Sequence, residues 1–231
     1  MNLSKSTLTI LQNFAAINPN IFFKEGEQLQ TVDEFSQVLG KATITDTITD
    51  EFGIYDLNEF LSTLSLFSDP ELEVGEYRND QVVSIKSVSQ SSSARYVCAA
   101  PTIMTLPPEK GIPMDNIKIK FTLCGETFAN LKKAATTMKF DVMTISNEAG
   151  VANINVKDAK GTTSNAYSVE LPGVEAEVSS YYIELPFKIL KLLPGNYEIE
   201  VDTVKGVSHW KSVDFPVEYW IALAKTSKFE D

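Results

Sequence analysis

The sequence predicts an α+β protein built from two similar domains of about 110 residues each. Three observations carry this. Helical and strand-like periodicities are interleaved over the whole chain, with no helix-rich block set apart from a strand-rich one. The order helix, strands, helix, strands occurs twice. Between the two rounds lies "VCAAPTIMTLPPEKGIPM" (97–114), which holds four prolines and neither periodicity. The N-terminal domain is placed at 1–110, including part of the linker, and the C-terminal domain at 115–231.

The first helix is predicted from Ser4 to Ile17. Ser4 supplies the cap. Leu8, Ile10, Leu11, Phe14, Ala15 and Ile17 make the apolar face, and Lys5, Ser6, Thr9, Gln12, Asn13 and Ala16 the opposite one. "NIFFKEGEQLQT" reads as a hairpin across Glu25-Gly26. "YDLNEFLSTLSLF" predicts the second helix, over 57–67, with Asp56 at the N-cap and Leu57, Phe60, Leu61, Leu64 and Phe67 as the stripe.

The third helix, 126–138, comes from "GETFANLKKAATTMKFD". Stepping 100° per residue gathers Phe128, Leu131, Ala134, Ala135 and Met138 into one arc. Asn130, Lys132, Lys133, Thr136 and Thr137 fill the other. Glu126 lies in the first turn, where the helix dipole favours a negative charge. "DVMTISNEAGVANINVKDAKG" reads as a hairpin and a following turn. "ELPFKILKLLPGN" predicts a fourth helix over 185–193, with Pro186 in its first turn and Pro194-Gly195 as its stop. Its narrow polar face is mainly Lys188 and Lys191. "GNYEIEVDTV" and "FPVEYWIALAK" alternate as strands. Leu8, Leu11 and Ala15 register with Phe128, Leu131 and Ala135 across the repeat.

Composition narrows the function. The chain has 231 residues, 43% hydrophobic and 22% charged, as in soluble globular proteins. Met1 to Asn20 lacks the basic start and apolar core of a signal peptide, and no apolar run approaches the ~20 residues of a membrane span. Cys98 and Cys124 match no metal-ligand spacing and read as two buried free thiols of a reducing compartment. The single histidine, His209, stands beside Trp210 and reads as structural. "TITDTITDEFG" concentrates Asp46, Asp50 and Glu51 but departs from the calcium-loop pattern. No glycine loop to cradle phosphate is present; a carboxylate-only glycosidase stays open as a rival, though no carboxylate pair stands out, and taken together a catalytic role, a cofactor and a metal are not expected.

Charge is distributed by element. The net charge is −11, yet the four helical segments together carry +2 and the remainder −13. The first and third helices have polar faces with lysine or small polar groups and no carboxylate. Such faces suit an element that moves along a duplex: lysines attract phosphates without reading sequence, and a carboxylate would repel them. Only Arg78 and Arg95 are arginines, which argues against sequence-specific base readout.

At this point several segments resemble a known family, the sliding clamps, or DNA polymerase processivity factors, of T-even-like phages, within the proliferating-cell-nuclear-antigen-like clamp superfamily. "MNLSKSTLTILQNFAAIN" is similar to the family's first helix, and "IYDLNEFLSTLSLF" to its second, the most specific match. "LLPGNYEIEV" and "EYWIALAK" resemble its late turn-and-strand and last strand. The segments 69–116 and 146–180 match only in element pattern. The resemblance implies a DNA-clamp fold, with two similar domains each having two helices on antiparallel sheets, assembled as a trimer into a six-domain ring. It selects Lys5, Lys132, Lys133, Lys188 and Lys191 as DNA-facing. Lys133 and Lys191 sit where the family pattern is basic, whereas Thr136 departs from it. A partner-peptide pocket is implied near the linker and last strand, at Ile103, Met104, Leu106, Tyr219, Trp220 and Leu223. The implied partners are double-stranded DNA, the DNA polymerase, an ATP-driven clamp loader, late-transcription factors and further copies of the chain, with no membrane. The implied location is the host cell cytoplasm. A β-rich structural or adhesive virion component is the alternative reading. It would use the same strands and acidic surface but gives no reason for basic helix faces.

Overall fold

The computed structural model describes residues 1–87, 89, 91–108, 111–148, 150–160 and 165–230. The chain divides into two compact units, Met1–Glu109 and Lys110–Asp231.

The first unit opens with helix α1 (Lys5–Ile17). Ser4 caps it, its hydroxyl accepting from Thr7 N at 3.2 Å. Strands β1 (Ile21–Phe23), β2 (Gly26–Val32), β3 (Val38–Ile48) and β4 (Phe52–Ile54) follow. Next come α2 (Leu57–Leu64) and strands β5 (Glu71–Tyr77), β6 (Asp80–Ser87) and β7 (Ser92–Val97). Asp56 caps α2 by accepting from Glu59 N at 2.9 Å. The helix stops at Leu64, short of the predicted 67. A turn through Thr63 and Leu64 takes up Leu66 N and Phe67 N instead.

The hairpin expected across Glu25-Gly26 does not form. β1 pairs with β4 and β2 with β3, both antiparallel. β1 thus finds its partner beyond the local β2–β3 pair, a long-range outcome that local alternation cannot specify. The β2–β3 register jumps from Gln28↔Thr43 to Gly26↔Ile48, so β3 bulges over residues 44–47. The bulge carries Asp46 to the head of α1, where its carboxylate accepts from Ser4 N at 2.7 Å. Burial opposes the Asp46 charge, but hydrogen bonds from Thr7 and Ser4 outweigh it and hold the carboxyl below its usual range. The core is built from Ile10, Leu11 and Phe14 of α1, Leu57 and Phe60 of α2, and the stacked rings of Phe23 and Phe52 at 4.4 Å. Each such side chain contributes about 1.5–3 kcal/mol by leaving water.

The second unit contains β8 (Ile117–Leu123), α3 (Gly125–Met138), β9 (Val142–Glu148), β10 (Val151–Lys157), β11 (Tyr167–Glu170) and the short β12 (Glu175–Ala176). These are followed by β13 (Ser180–Pro186), β14 (Tyr197–Asp202), β15 (Val207–Ser212), β16 (Val217–Ala222) and β17 (Lys228–Glu230). One antiparallel sheet runs β12-β8-β14-β15-β16 and the other β11-β10-β9-β13-β17. The predicted β9–β10 hairpin forms, with Gly150 at φ 81 in its turn.

The predicted fourth helix is absent. β13 continues to Pro186, which pairs with Val142, and Phe187 N still donates to Asp141 O at 2.8 Å. Only a 3-10 turn at Phe187–Ile189 follows. Ile189, Leu190, Leu192 and Leu193 are all buried, and one helical face cannot bury four of five successive positions. Tertiary partners replace the helical ones. Tyr197 OH donates to Leu193 O at 2.5 Å, and Tyr219 OH accepts from Leu193 N at 3.3 Å. Phe128 of α3 packs on Tyr197 and Trp210, with ring centroids 6.0 and 5.7 Å away.

The units repeat one connectivity. β1–β4 corresponds to β9–β13, β2–β3 to β10–β11, and β5–β6–β7 to β14–β15–β16. In the first unit, Met1 takes the place of β8, exchanging backbone hydrogen bonds with Leu72 at 2.6 and 2.8 Å. The 3-10 turn stands where α2 stands in the first unit.

Candidate functional site

Each helix that carries a basic face is fixed from its buried side. On α1, Lys5, Ser6, Gln12 and Ala16 are exposed and Thr9 half-exposed. Thr9 turns its hydroxyl to Lys5 O at 2.9 Å. The outward face holds one lysine and no acid.

On α3, Phe128, Leu131 and Ala135 are buried, while Asn130, Lys133, Thr136 and Thr137 are exposed. The neighbouring lysines differ. Lys133 is exposed. Lys132 is half-buried, with its ammonium 4.2 Å from the Phe128 ring centroid and donating to Leu192 O at 3.4 Å. Burial pushes the Lys132 ammonium below its ordinary pKa. The helical wheel placed both lysines on the polar face. The i, i+4 spacing from Phe128 draws Lys132 onto the ring instead. Lys139, absent from the expected DNA-facing set, closes α3 in the left-handed conformation (φ 56, ψ 40) and is exposed.

The N-cap of α3 is Cys124, whose sulfur lies 3.5 Å from Thr127 N and 3.0 Å from Thr127 Oγ1. Contrary to the reading of two buried thiols, Cys124 is exposed and Cys98 half-buried. A thiol in a capping position must stand outside the first turn, which hydrophobicity alone does not reveal. Lys188 and Lys191 are both exposed; the intervening Ile189 and Leu190 are buried, so the short turn directs the two lysines outward without a helix.

The linker residues of the expected pocket, Ile103, Met104 and Leu106, lie in the first unit. Cys98 N donates to Gln81 O at 2.9 Å and Ala99 N to Gly53 O at 2.8 Å. A 3-10 turn at Pro101–Ile103 then leaves Ile103 63% exposed. Met104 is half-buried against Gly53, where a Cβ would stand 2.7 Å from the Met104 sulfur and 2.4 Å from Ala99 O. Only glycine admits the linker this close. Leu106 and Pro107 wall an open groove of about 900 Å³, together with Phe22, Gln28, Thr43 and Thr47. The last four escaped the sequence reading, since alternation gives their outward direction but not what passes over them.

The remaining residues of the expected pocket lie in the second unit. Tyr219 is fully buried and bonded to Leu193, so it presents no surface. Trp220 is half-buried and stacked on His209, 4.6 Å between centroids and 16° between planes. His209 Nε2 lies 3.0 Å from a Glu218 carboxylate oxygen, in keeping with a structural role. Leu223 is half-buried, its N–H donating to Gly206 O at 2.8 Å.

The family profile described as DNA polymerase processivity factor matches residues 4–104. The sliding clamp of Vibrio phage KVP40 is 30% identical over 230 residues, covering 96% of this chain and 98% of its own. That of Enterobacteria phage T4 is 29% identical over 203 residues, covering 86% of each. Among solved structures, proliferating cellular nuclear antigen from Entamoeba histolytica superposes with a TM-score of 0.67 at 12% identity over 95% of each chain. PCNA from Thermococcus kodakaraensis gives 0.63 at 15%, over 94% of this chain and 95% of its own. The fold is therefore that of the DNA clamps, and the virion-component reading gives way. By full-length similarity to phage clamps, by the processivity-factor profile and by its twice-repeated connectivity, this chain belongs to the sliding-clamp family of DNA polymerase processivity factors.

Proposed function

We propose that three copies of this chain close into a ring of six domains around duplex DNA and tether the replicative polymerase to it. The observation that carries this is the outward face of α1 and α3: Lys5 and Lys133 among small polar residues, on a chain of net charge −11. Lys188 and Lys191 add two further exposed lysines in the second unit. Lysines at this density hold a polyanion without fixing it at one site, and the acidic remainder discourages binding elsewhere. Lys132 adds positive potential from a bonded position.

End strands support the closure. β7 ends the β5–β6–β7 sheet and β11 ends the five-stranded sheet of the second unit, and backbone pairing between such edges of neighbouring copies makes a ring that needs no further strand. An ATP-driven loader opens the ring, and the polymerase, the loader and late-transcription factors dock at the linker through Ile103, Met104 and Leu106. Trp220 of β16 and Leu223 just after it are the second unit's own candidates for partner contact. The protein works in the host cytoplasm as a non-catalytic tether.

The test combines light scattering with primer extension. Lys5, Lys133, Lys188 and Lys191 changed together to Glu should leave a trimeric mass and abolish processive synthesis. A wild-type mass that is not trimeric, or unchanged processivity in the variant, rejects the reading.

A further inference from the structure

The linker is gripped from the far end of a helix. α1 is capped at its C-terminal end by Asn18, which is 4% exposed and whose N–H donates to Phe14 O at 2.9 Å. Its side-chain amide then serves three other segments. Nδ2 donates to Val32 O at 2.7 Å, at the end of β2, and to Thr105 O at 3.3 Å, in the linker. Oδ1 accepts from Asn20 N at 3.0 Å, which fixes the next turn. Asn20 in turn uses its own Oδ1 to accept from Thr105 N at 3.2 Å. Both backbone polar groups of Thr105 are thereby held by one tripeptide, Asn18-Pro19-Asn20. Pro19 O accepts from Leu57 N at 2.6 Å, which ties the tripeptide to the first residue of α2.

Thr105 itself is exposed and stands between Met104 and Leu106. Its neighbours on both sides are the residues assigned to partner docking. An irregular segment with no ladder of its own is mobile unless its backbone groups find partners. Here the upstream anchor is Ala99 on Gly53 and the downstream anchor is Thr105 on the two asparagines. The turn that exposes Ile103 is suspended between them.

We propose that Asn18 and Asn20 are positioning residues for partner binding: they hold Thr105 so that Ile103 and Leu106 are presented in one arrangement before a partner arrives. This rests on the linker-docking reading above. A preordered surface spares a partner the entropy of ordering it, so loss of the bracket weakens binding without removing any residue that touches the partner. The bracket also joins the end of α1 to the docking segment by direct hydrogen bonds.

The test uses the full-length clamp and the replicative DNA polymerase encoded by the same genome. Asn20 is half-exposed, so Asn20→Ala removes the acceptor for Thr105 N without emptying a core site. Asn20→Asp keeps an acceptor and serves as the rescue. Asn20→Ala should speed hydrogen exchange at the Thr105 amide at least tenfold and raise the polymerase Kd about fivefold, as expected for removal of one hydrogen bond. Oligomeric mass should be unchanged, and Asn20→Asp should behave as wild type in both assays. Faster exchange with unchanged affinity overturns the positioning role, and unchanged exchange overturns the bracket itself. Ile103→Ser and Leu106→Ser report separately: if neither weakens polymerase binding, the docking reading fails rather than the bracket.

Discussion

Lys132 and Lys133 are adjacent in sequence and opposite in role, and the difference can be measured. Lys132 donates to Leu192 O at 3.4 Å and covers the Phe128 ring at 4.2 Å, whereas Lys133 points into solvent. Replacing Lys132 with Gln removes a partly desolvated cation–π interaction, worth about 0.5–2 kcal/mol, and one long hydrogen bond worth less than the usual ~1 kcal/mol. A loss of about 1.5 kcal/mol lowers the melting temperature of a chain this size by about 3–6 °C. Lys133→Gln removes an exposed charge and should change stability by no more than about 0.5 kcal/mol. On DNA the order reverses. Every phosphate left without its lysine lowers the slope of log affinity against log salt by about 0.9, so Lys133→Gln should flatten that slope while Lys132→Gln leaves it near wild type. Thermal melts at one fixed protein concentration, paired with salt titrations of DNA association, test both halves. A flattened slope with an unchanged melt for Lys132→Gln would refute the assignment.

Other consequences follow from single sites. Asp202 is fully buried; burial opposes its charge, but N–H groups of Lys205, Asn116, Val204 and Asp115 outweigh that and hold its carboxyl below the usual range. Its folded pKa being depressed, the stabilisation is complete above the ordinary aspartate value near 3.9 and is lost as pH falls through the folded one. Asp202→Asn should therefore cost about 2 kcal/mol at pH 7 and flatten the acid limb of urea-denaturation profiles; an unaltered limb counts against it. Hydrogen bonds from Thr127 hold the Cys124 thiol below its ordinary value, while burial pushes Cys98 up to about 11. Iodoacetamide at pH 7.5 should label Cys124 more than tenfold faster by mass spectrometry, and equal rates would contradict the capping geometry. Gly53→Ala would put a methyl 2.4 Å from Ala99 O, and calorimetry should register about 1–3 kcal/mol of lost stability.

Much of the fold is legible where one rule governs one element. Ser4 and Asp56 announce their helices because a cap acts within three residues. Phe128, Leu131 and Ala135 announce the buried side of α3 because helical spacing decides it. The failures arise where distant groups decide. The segment 185–193 has helical composition, but β9 extends the pairing to Pro186, and Tyr197 and Tyr219 take over Leu193. β1 finds β4 across the intervening β2–β3 pair, which a local hairpin pattern cannot foresee. Among the site residues, the exposure of Lys5 and Lys133 follows from helical spacing, whereas Lys188 and Lys191 are exposed on a turn and not on the expected helix. The inward turn of Lys132, the burial of Tyr219 and the grip of Asn18 on Thr105, 87 residues away, depend on packing that only three dimensions supply.

The bulge in β3 has a further effect on anything negatively charged that approaches α1. A helix head is ordinarily a trap for phosphate, since its free N–H groups and dipole converge there. Here the Asp46 carboxylate already sits at that pole, bonded to Ser4 N, and Ser4 itself has taken Thr7 N. On the proposed reading, a nucleic-acid backbone drawn to this helix would be turned away from the end and meet the exposed side chains along the flank. Contacts of that kind are remade as easily as they are broken, which is what passage along a polymer requires and what a fixed anion seat would forbid.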